Sequence, residues 1–483
     1  MKLKDLLKGI GYIKIVGTGD IEIGDMYYDS RRVTADSLFF CIKGLTVDGH
    51  NYAAQAVERG AKALVLERDV NTTEDITKVF VRDSKVAMAN IAKNYYKDPT
   101  QGITFIGVTG TNGKTTITHL VKAVLEEIGQ RVGLIGTITN MIGDRKIPSA
   151  HTTPESLDLQ RLLREMADEN ADSIVMEVSS HSLSLGRVEG CQYDIGAFTN
   201  LSRDHLDFHP TMEEYRDAKA KLFAQSKMAV INVDDESGRW IKDRFEGRVM
   251  TYGICKEADI YARDLEITDK GVTFNLHSPE GEIPINLAIP GIFSIYNALA
   301  AAGICLDMGI SLEAIAQGLQ RVKGIDGRFE LLDTGTDYSV ILDYAHTPDG
   351  LENILETARG FVKGRVLTLF GCGGDRDFTK RPMMGEVAGR FSDLCIITSD
   401  NPRSEEPMKI IKQIMPGVKK TGCPYKIIEN RKEAIEYALS NAKKGDVVIL
   451  AGKGHETYQI LKNKTIHFDE KEIVMEILGR ERP

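Results

Sequence analysis

The 483-residue chain contains no apolar run long enough to span a membrane, no Cys-x-x-Cys pair, and no internal repeat or low-complexity tract visible by eye. Its opening, Met-Lys-Leu-Lys-Asp-Leu-Leu-Lys, is too interrupted by charge to be a secretory signal, so no membrane insertion is expected. Seven scattered cysteines fit a reduced, cytoplasmic setting better than a disulfide or zinc framework. Positive charge is in deficit: 61 Lys and Arg against 70 Asp and Glu leave a formal charge of −9, which speaks against nucleic-acid binding. Anions can bind only where local loops and basic side chains overcome that field. What is present is ordinary for a soluble globular protein. A hydrophobic content of 42% and a charged content of 27% give material for several cores, and the length suggests about three domains.

The most informative stretch is Ile103–Thr116. Ile103 to Val108 is apolar and β-branched and reads as a buried strand. Gly110 and Gly113 bracket a turn, and Ile117, Leu120, Val121, Val124, Leu125 and Ile128 then recur at helical spacing. A strand, a glycine loop and a helix N-terminus form a phosphate cradle, in which backbone N–H groups face the anion. Lys114 supplies a point charge for the outer phosphates, and the Thr115 hydroxyl suits Mg²⁺. Val108 stands where the usual spacing wants glycine, so the core is the shorter Gly-x-x-Gly-Lys-Thr-Thr.

Before this loop, residues 1 to about 100 alternate short strands (Leu38–Ile42, Ala63–Leu66) with a helix, Ala53–Arg59, stopped at Gly60. Asp29-Ser30-Arg31-Arg32 is either surface turn chemistry or a ligand grip. Lys97-Asp98-Pro99-Thr100 reads as a linker. After the loop, Pro154 is expected to start a helix with Thr153 as its cap; the Thr152 and Thr153 hydroxyls are caps or ligand contacts, and spacing does not decide. Glu177 is a carboxylate in the apolar strand Ser173–Val178. Burying it unpaired would cost about 3 kcal/mol or more, so a metal or cation is expected to meet it. Asp204, His205, Asp207 and His209 are either metal ligands or satisfied core and surface residues, and their density does not decide. Helical periodicity over Met212–Phe223 reads Lys219 and Lys221 as solvated or as favouring the helix C-terminus. Residues 249–288 read as β-rich. Helices follow from Phe293, carrying Asn297, and after the N-cap Ser311. In the last third, strands Val340–Tyr344, Val366–Phe370, Leu394–Thr398 and Val447–Ala451 alternate with helical patterns. That alternation implies a parallel sheet whose C-terminal ends collect ligand-binding loops. Gly371-Cys-Gly-Gly374 lacks the order of a dinucleotide fingerprint and is set aside.

Taken together, the motifs resemble the Mur ligases, ATP-dependent amino-acid ligases of bacterial cell-wall synthesis. Gly110-Thr-Asn-Gly-Lys-Thr-Thr116 is similar to the family's ATP loop, and Glu177-Val-Ser-Ser-His181, Asn200–Asp207 and Asp343–Pro348 are equally family-like. Asp29-Ser-Arg31, His151-Thr-Thr-Pro154, Asp400-Asn-Pro-Arg403 and Gly452-Lys-Gly-His-Glu456 are similar to members that add the third peptide residue. The resemblance implies an α/β fold of three domains: 1–100 binding a UDP-substrate, 101–328 a central ATP-binding P-loop ATPase-type parallel sheet, and 329–483 a Rossmann-like amino-acid-binding domain. It also implies ATP and Mg²⁺ as cosubstrate and metal. The ATP loop is Gly110, Thr111, Asn112, Gly113, Lys114, Thr115 and Thr116, with Asn297, Arg328 and Asp343 on the nucleotide and Arg328 near the transferred phosphate. Thr115 and Glu177 would hold one Mg²⁺; Glu177 and His205 would approach a second. Ser30, Thr152, Thr153, Ser179 and Arg187 would bind UDP-N-acetylmuramoyl-L-alanyl-D-glutamate. Lys219 matches the lysine that the family carbamylates with CO₂, making N6-carboxylysine, a hard oxygen ligand suited to Mg²⁺. Arg381, Asp400, Asn401, Pro402, Arg403, Gly452 and Glu456 would form the pocket for the incoming amino acid.

The implied reaction passes through an acyl phosphate on the D-glutamate side chain, which the amine of the incoming amino acid then displaces. Arg403 points to meso-diaminopimelate over L-lysine, because a guanidinium grips the second carboxylate that lysine lacks. Rival readings are the lysine-adding ligase, a folylpolyglutamate synthase-like ligase, and a nucleotide-switched binding protein without ligase chemistry. The protein is expected to be a monomer.

Overall fold

Continuously apolar strands buried on both faces organise the fold in the computed structural model, which describes residues 1–44, 47–72 and 75–480. The chain divides into two compact units: residues 1–107 with 131–194, and residues 108–130 with 195–483.

In the first unit, strands Asp25–Tyr27, Ser37–Phe40, Ala61–Leu66 and Thr77–Val81 run parallel, and Tyr12–Val16 closes one edge antiparallel. Leu38 and Phe40 point into one core with Leu3, Leu6, Met88 and Ile91. Phe39 and Cys41 point into the other with Ala53, Ala56 and Val57. The helix expected at Ala53–Arg59 is present as Ala53–Glu58. A second group of strands pairs Ser173–Glu177 with Val132–Ile135 in parallel and continues into the ribbon Asn140–Ile142 and Arg145–Ile147. The helix after the His151 loop runs Ser156–Asp168, and here the capping expectation fails. Glu155 is the N-cap residue without a side-chain cap, and the Thr153 hydroxyl instead donates to the Glu177 carbonyl at 2.8 Å.

In the second unit, helix Lys114–Glu127 follows the glycine loop and buries Ile117, Leu120, Val121, Val124 and Leu125. It packs on helices Ile292–Asp307 and Leu312–Arg321, the latter capped by Ser311 as expected. Strands Ser226–Asn232, Arg248–Gly253 and Ile260–Thr268 run parallel and give way to an antiparallel meander, Gly271–Ser278 and Gly281–Leu287. The C-terminal sheet has the order Glu330–Leu332, Ser339–Asp343, Val447–Ala451, Val366–Phe370, Leu394–Ile397, Tyr425–Ile427, parallel except for its first strand. Ile341, Ile449 and Ile397 face one core; Leu342, Leu450 and Ile396 face the other. The α/β class with parallel-rich sheets is therefore as the sequence implies. Among the described residues no helix is long and apolar enough to cross a membrane.

Candidate active site

The glycine loop is held from below by its neighbours in the second unit. Thr111 N–H donates to the Asn200 carbonyl (2.8 Å), Asn112 N–H to Asn200 Oδ1 (3.0 Å), and the Thr199 hydroxyl to the Asn112 carbonyl (2.6 Å). Asn112 Nδ2 reaches Asp349 at 2.6 Å. Two glycines are required by space as well as by conformation. Gly110 has φ +149°, and a Cβ there would lie 1.7 Å from Thr199 Oγ1; Gly113 has φ +90°, and its Cβ would lie 2.5 Å from Asn297 Oδ1. Gly110→Ala should lower ATP-dependent turnover by at least ~10²-fold with unchanged circular dichroism, since the cradle must shift. Gly360→Ala, in open space, should stay within about twofold.

Two lysine amines converge on one oxygen. Lys114 Nζ donates to the Gly110 carbonyl at 2.9 Å and to the Thr111 carbonyl at 2.9 Å; Lys219 Nζ donates to the same Gly110 oxygen at 2.7 Å. Lys219 is 1% exposed and lies over the Tyr215 ring. The expectation of a solvated Lys219 is thus wrong: helix Met212–Ala224 turns this side chain inward with Tyr215, Ala218 and Leu222, while Lys221 is exposed. Burial, then the Lys114 charge, push the Lys219 amine well below its ordinary range, toward the neutral nucleophilic form.

The polar run after Thr199 does not converge as a metal cluster, and among the described residues no three His, Cys, Asp or Glu side chains do. His209 is buried and stacked on Tyr215, Asp207 is exposed, and Asp204 is committed to an ion pair with Lys380 at 3.0 Å. His205 and His346 also approach Asp204, at 3.3 and 3.5 Å. Burial would raise the Asp204 carboxyl, but His205, Lys380 and His346 outweigh it and hold it well below the usual range. His205 itself adopts φ +55° beside this pair. Lys380 opens the run Lys380-Arg381-Pro382, and its partner lies 176 residues away, which no local pattern reveals.

Arg328 donates to the Thr115 hydroxyl at 2.9 Å and stacks over the Tyr344 ring at 4.7 Å. Tyr344 in turn meets His455, whose imidazole is pushed down to about 3 by burial and then by Arg328. Asp343 accepts from Phe329 N–H and Ala345 N–H, both at 2.6 Å. Burial pushes its carboxyl up to about 6 against the pull of Arg328 and these donors. Its native value lies above the unfolded value of about 3.9, so ionising it as pH rises from about 4 to about 6 lowers stability. Denaturant midpoints measured across that range should carry this slope in the wild type and lose it in Asp343→Asn.

At the C-terminal ends of the last sheet, Asn401 Nδ2 and Lys453 Nζ both donate to Glu456 Oε2 at 2.9 Å, and Lys453 is fully buried. Gly452, at φ +114°, leaves room for Asp400, whose Oδ2 would lie 2.6 Å from a Cβ there. Burial favours protonated Asp400, but Lys453 and Arg431 reverse it and hold the carboxyl low. Arg403 follows Pro402 with φ +52°, and its Nη1 donates to the Gly374 carbonyl at 2.8 Å. The Gly371–Gly374 turn set aside from sequence is thus the floor under Arg403. Arg381 is 1% exposed, with its guanidinium on Glu405 and the Gly373 carbonyl. It therefore supports this turn from inside rather than lining open space.

In the first unit, Glu177 Oε1 accepts from Thr137 N–H at 2.8 Å and Oε2 from the Thr137 hydroxyl at 3.0 Å. Thr137 thus meets both oxygens of the carboxylate for which the sequence implies a metal or cation partner. Thr137 also meets the Thr152 hydroxyl at 3.0 Å. Ser179 N–H donates to Thr153 Oγ1 at 3.1 Å, and Arg187 Nη1 to the Thr153 carbonyl at 3.2 Å. The Arg187 Nε is buried without a hydrogen-bond partner. Thr152, Thr153, Ser179 and Arg187 thus form one cluster, whereas Ser30 lies apart on the turn Ser30–Arg32 and donates to Gln55 at 2.7 Å.

Three family models match the chain: the Mur ligase family catalytic domain over residues 22–101, the Mur ligase middle domain over 108–305, and the Mur ligase glutamate ligase domain over 327–454. The chain is 53% identical over 480 residues to the UDP-N-acetylmuramoyl-L-alanyl-D-glutamate–2,6-diaminopimelate ligase of Caldanaerobacter subterraneus subsp. tengcongensis, covering 99% of both chains. It is 50% identical to ligase 1 of the same name from Clostridium acetobutylicum, again over 99% of each. A solved structure of a ligase of that name aligns at 32% identity with a TM-score of 0.69 and 99% coverage of both chains. A Mycobacterium tuberculosis folylpolyglutamate synthase, 17% identical, shares the fold at a TM-score of 0.65 over 82% of this chain and 96% of that one. With all three models in order along its length and relatives half identical from end to end, the chain belongs to the Mur ligase family.

Proposed function

We propose that this Mur ligase adds meso-diaminopimelate to the D-glutamate of UDP-N-acetylmuramoyl-L-alanyl-D-glutamate, at the expense of ATP, in peptidoglycan precursor synthesis. The reading places it in the cytoplasm as a monomer, with the work divided among segments 1–100, 101–328 and 329–483. The observation that carries it is near-full-length likeness to enzymes named for diaminopimelate, joined to an Asp400–Arg403 loop that presents a guanidinium beside Asn401 and Glu456.

The residues divide the labour as follows. Gly110–Thr116, with Asn297 and Asp343, hold the nucleotide, and Lys114 neutralises its outer phosphates. Arg328, steadied by Thr115 and the Tyr344 ring, faces the transferred phosphoryl group and stabilises the charge that spreads over it. Ser30, Thr152, Thr153, Ser179 and Arg187 hold the UDP-dipeptide, the orphaned Arg187 Nε being suited to an anionic oxygen. The D-glutamate side-chain carboxylate attacks the terminal phosphorus in line and gives an acyl phosphate with loss of ADP. The diaminopimelate amine then attacks the acyl carbon, and phosphate leaves. Arg403 grips the distal carboxylate of diaminopimelate; Asp400, Asn401, Pro402, Gly452 and Glu456 shape the rest of that pocket, with Glu456 toward the distal ammonium and Arg381 steadying the floor.

Magnesium fits the donor set in one respect. Two amines share the Gly110 oxygen, and converting the Lys219 amine to a carbamate places beside Lys114 an anion bearing two hard oxygens. Thr115 would hold one ion and His205 would approach a second, with the Lys219 carbamate as a further oxygen ligand; when bound, the metal offsets phosphate charge. An assay of amide formation with ATP, the UDP-dipeptide and either diaminopimelate or L-lysine tests the reading. Product with diaminopimelate and little with lysine is expected; product with neither refutes it.

A further inference from the structure

The two loops assigned to the amino acid leave strands that are not neighbours. Leu394–Ile397 and Val447–Ala451 are separated in the sheet by Val366–Phe370, so no ladder hydrogen bond joins them. Arg431 spans the gap. Its Nη1 donates to the Ser399 carbonyl at 3.4 Å and its Nη2 to the Ala451 carbonyl at 2.9 Å. These two carbonyls immediately precede Asp400 and Gly452, the first residues of the two loops. The guanidinium Nε is held by Glu470 Oε1 at 2.8 Å, and both side chains are 0% exposed.

The placement is unfavourable on general grounds. Arg431 opens helix Arg431–Asn441, where the helix dipole disfavours a cation, and burying both charges gives back much of what their attraction gains. A plain apolar contact would hold the helices Arg431–Asn441 and Glu470–Ile477 together as well. What only a planar fork with several donors provides is a fixed span between two carbonyls while a third donor is anchored elsewhere. We infer that Arg431, anchored by Glu470, is a positioning residue for the incoming amino acid: it sets the separation of the Asp400–Arg403 and Gly452–Glu456 loops. This rests on the reading that these loops bind meso-diaminopimelate.

The test is steady-state kinetics on the whole enzyme with diaminopimelate, ATP and the UDP-dipeptide each varied, for wild type, Arg431→Lys and the double variant Arg431→Met/Glu470→Met, which removes both members of the buried pair and leaves Asp400 its Lys453 partner. The double variant should remain folded and raise KM for diaminopimelate at least ~10-fold, with KM for ATP and the UDP-dipeptide within about twofold. Arg431→Lys, which cannot span both carbonyls, should raise the diaminopimelate KM by a smaller factor. An unchanged diaminopimelate KM in either folded variant, or an equal loss for all three substrates, overturns the inference. Should the double variant not fold, Arg431→Lys decides by the same criterion. A wild-type enzyme that does not require diaminopimelate would instead refute the underlying reading, before any variant is compared.

Discussion

Lys219→Ala is expected to lower amide formation by at least ~10²-fold while leaving the fold and the UDP-dipeptide affinity in place. The side chain is buried under the glycine loop, its amine is pushed toward neutrality by burial and Lys114, and it shares the Gly110 oxygen with Lys114. A neutral amine takes up CO₂; a charged one does not. Wild-type activity should therefore fall in rigorously CO₂-depleted buffer and return with bicarbonate, and ¹³C-bicarbonate should give a carbamate resonance that Lys219→Arg lacks. Full activity in Lys219→Ala would remove the carbamate from the mechanism.

Arg403→Ala is expected to erase most discrimination between diaminopimelate and lysine. The guanidinium is positioned by the Gly374 carbonyl and by an unusual backbone, φ +52°. A carboxylate completes its partners, whereas lysine would leave it facing a second cation. The difference is about 2 kcal/mol or more, or at least ~30-fold in relative kcat/KM. Arg403→Lys should recover only part of it, because an ammonium cannot pair with a carboxylate through two parallel bonds. Equal ratios in wild type and Arg403→Ala would show that selectivity resides elsewhere.

The strands, the glycine loop and its helix were legible because each is a local pattern: an apolar run, two glycines, a 3.6-residue period. Periodicity failed at Lys219 because its burial is decided by a loop 109 residues away, and a lysine on a helix reads as solvated unless that partner is known. The capping reading failed at Thr153 for a related reason, since the hydroxyl finds the Glu177 carbonyl rather than the helix it precedes. Polar density around Asp204 was visible, but the side chains disperse to Lys380, Tyr215 and solvent instead of meeting one ion. Arg431 and Glu470, 39 residues apart, carry no local signal at all, since each reads as an ordinary first-turn helix residue.

The transfer of a phosphoryl group to the peptide acid is tested most directly by isotope. The UDP-dipeptide is prepared with ¹⁸O in the D-glutamate side-chain carboxylate, and the phosphate released during turnover with ATP and diaminopimelate is analysed by mass. One ¹⁸O atom should appear in each phosphate formed, because the carboxylate oxygen leaves with it. Phosphate carrying no label, alongside normal amide product, would contradict an acyl phosphate.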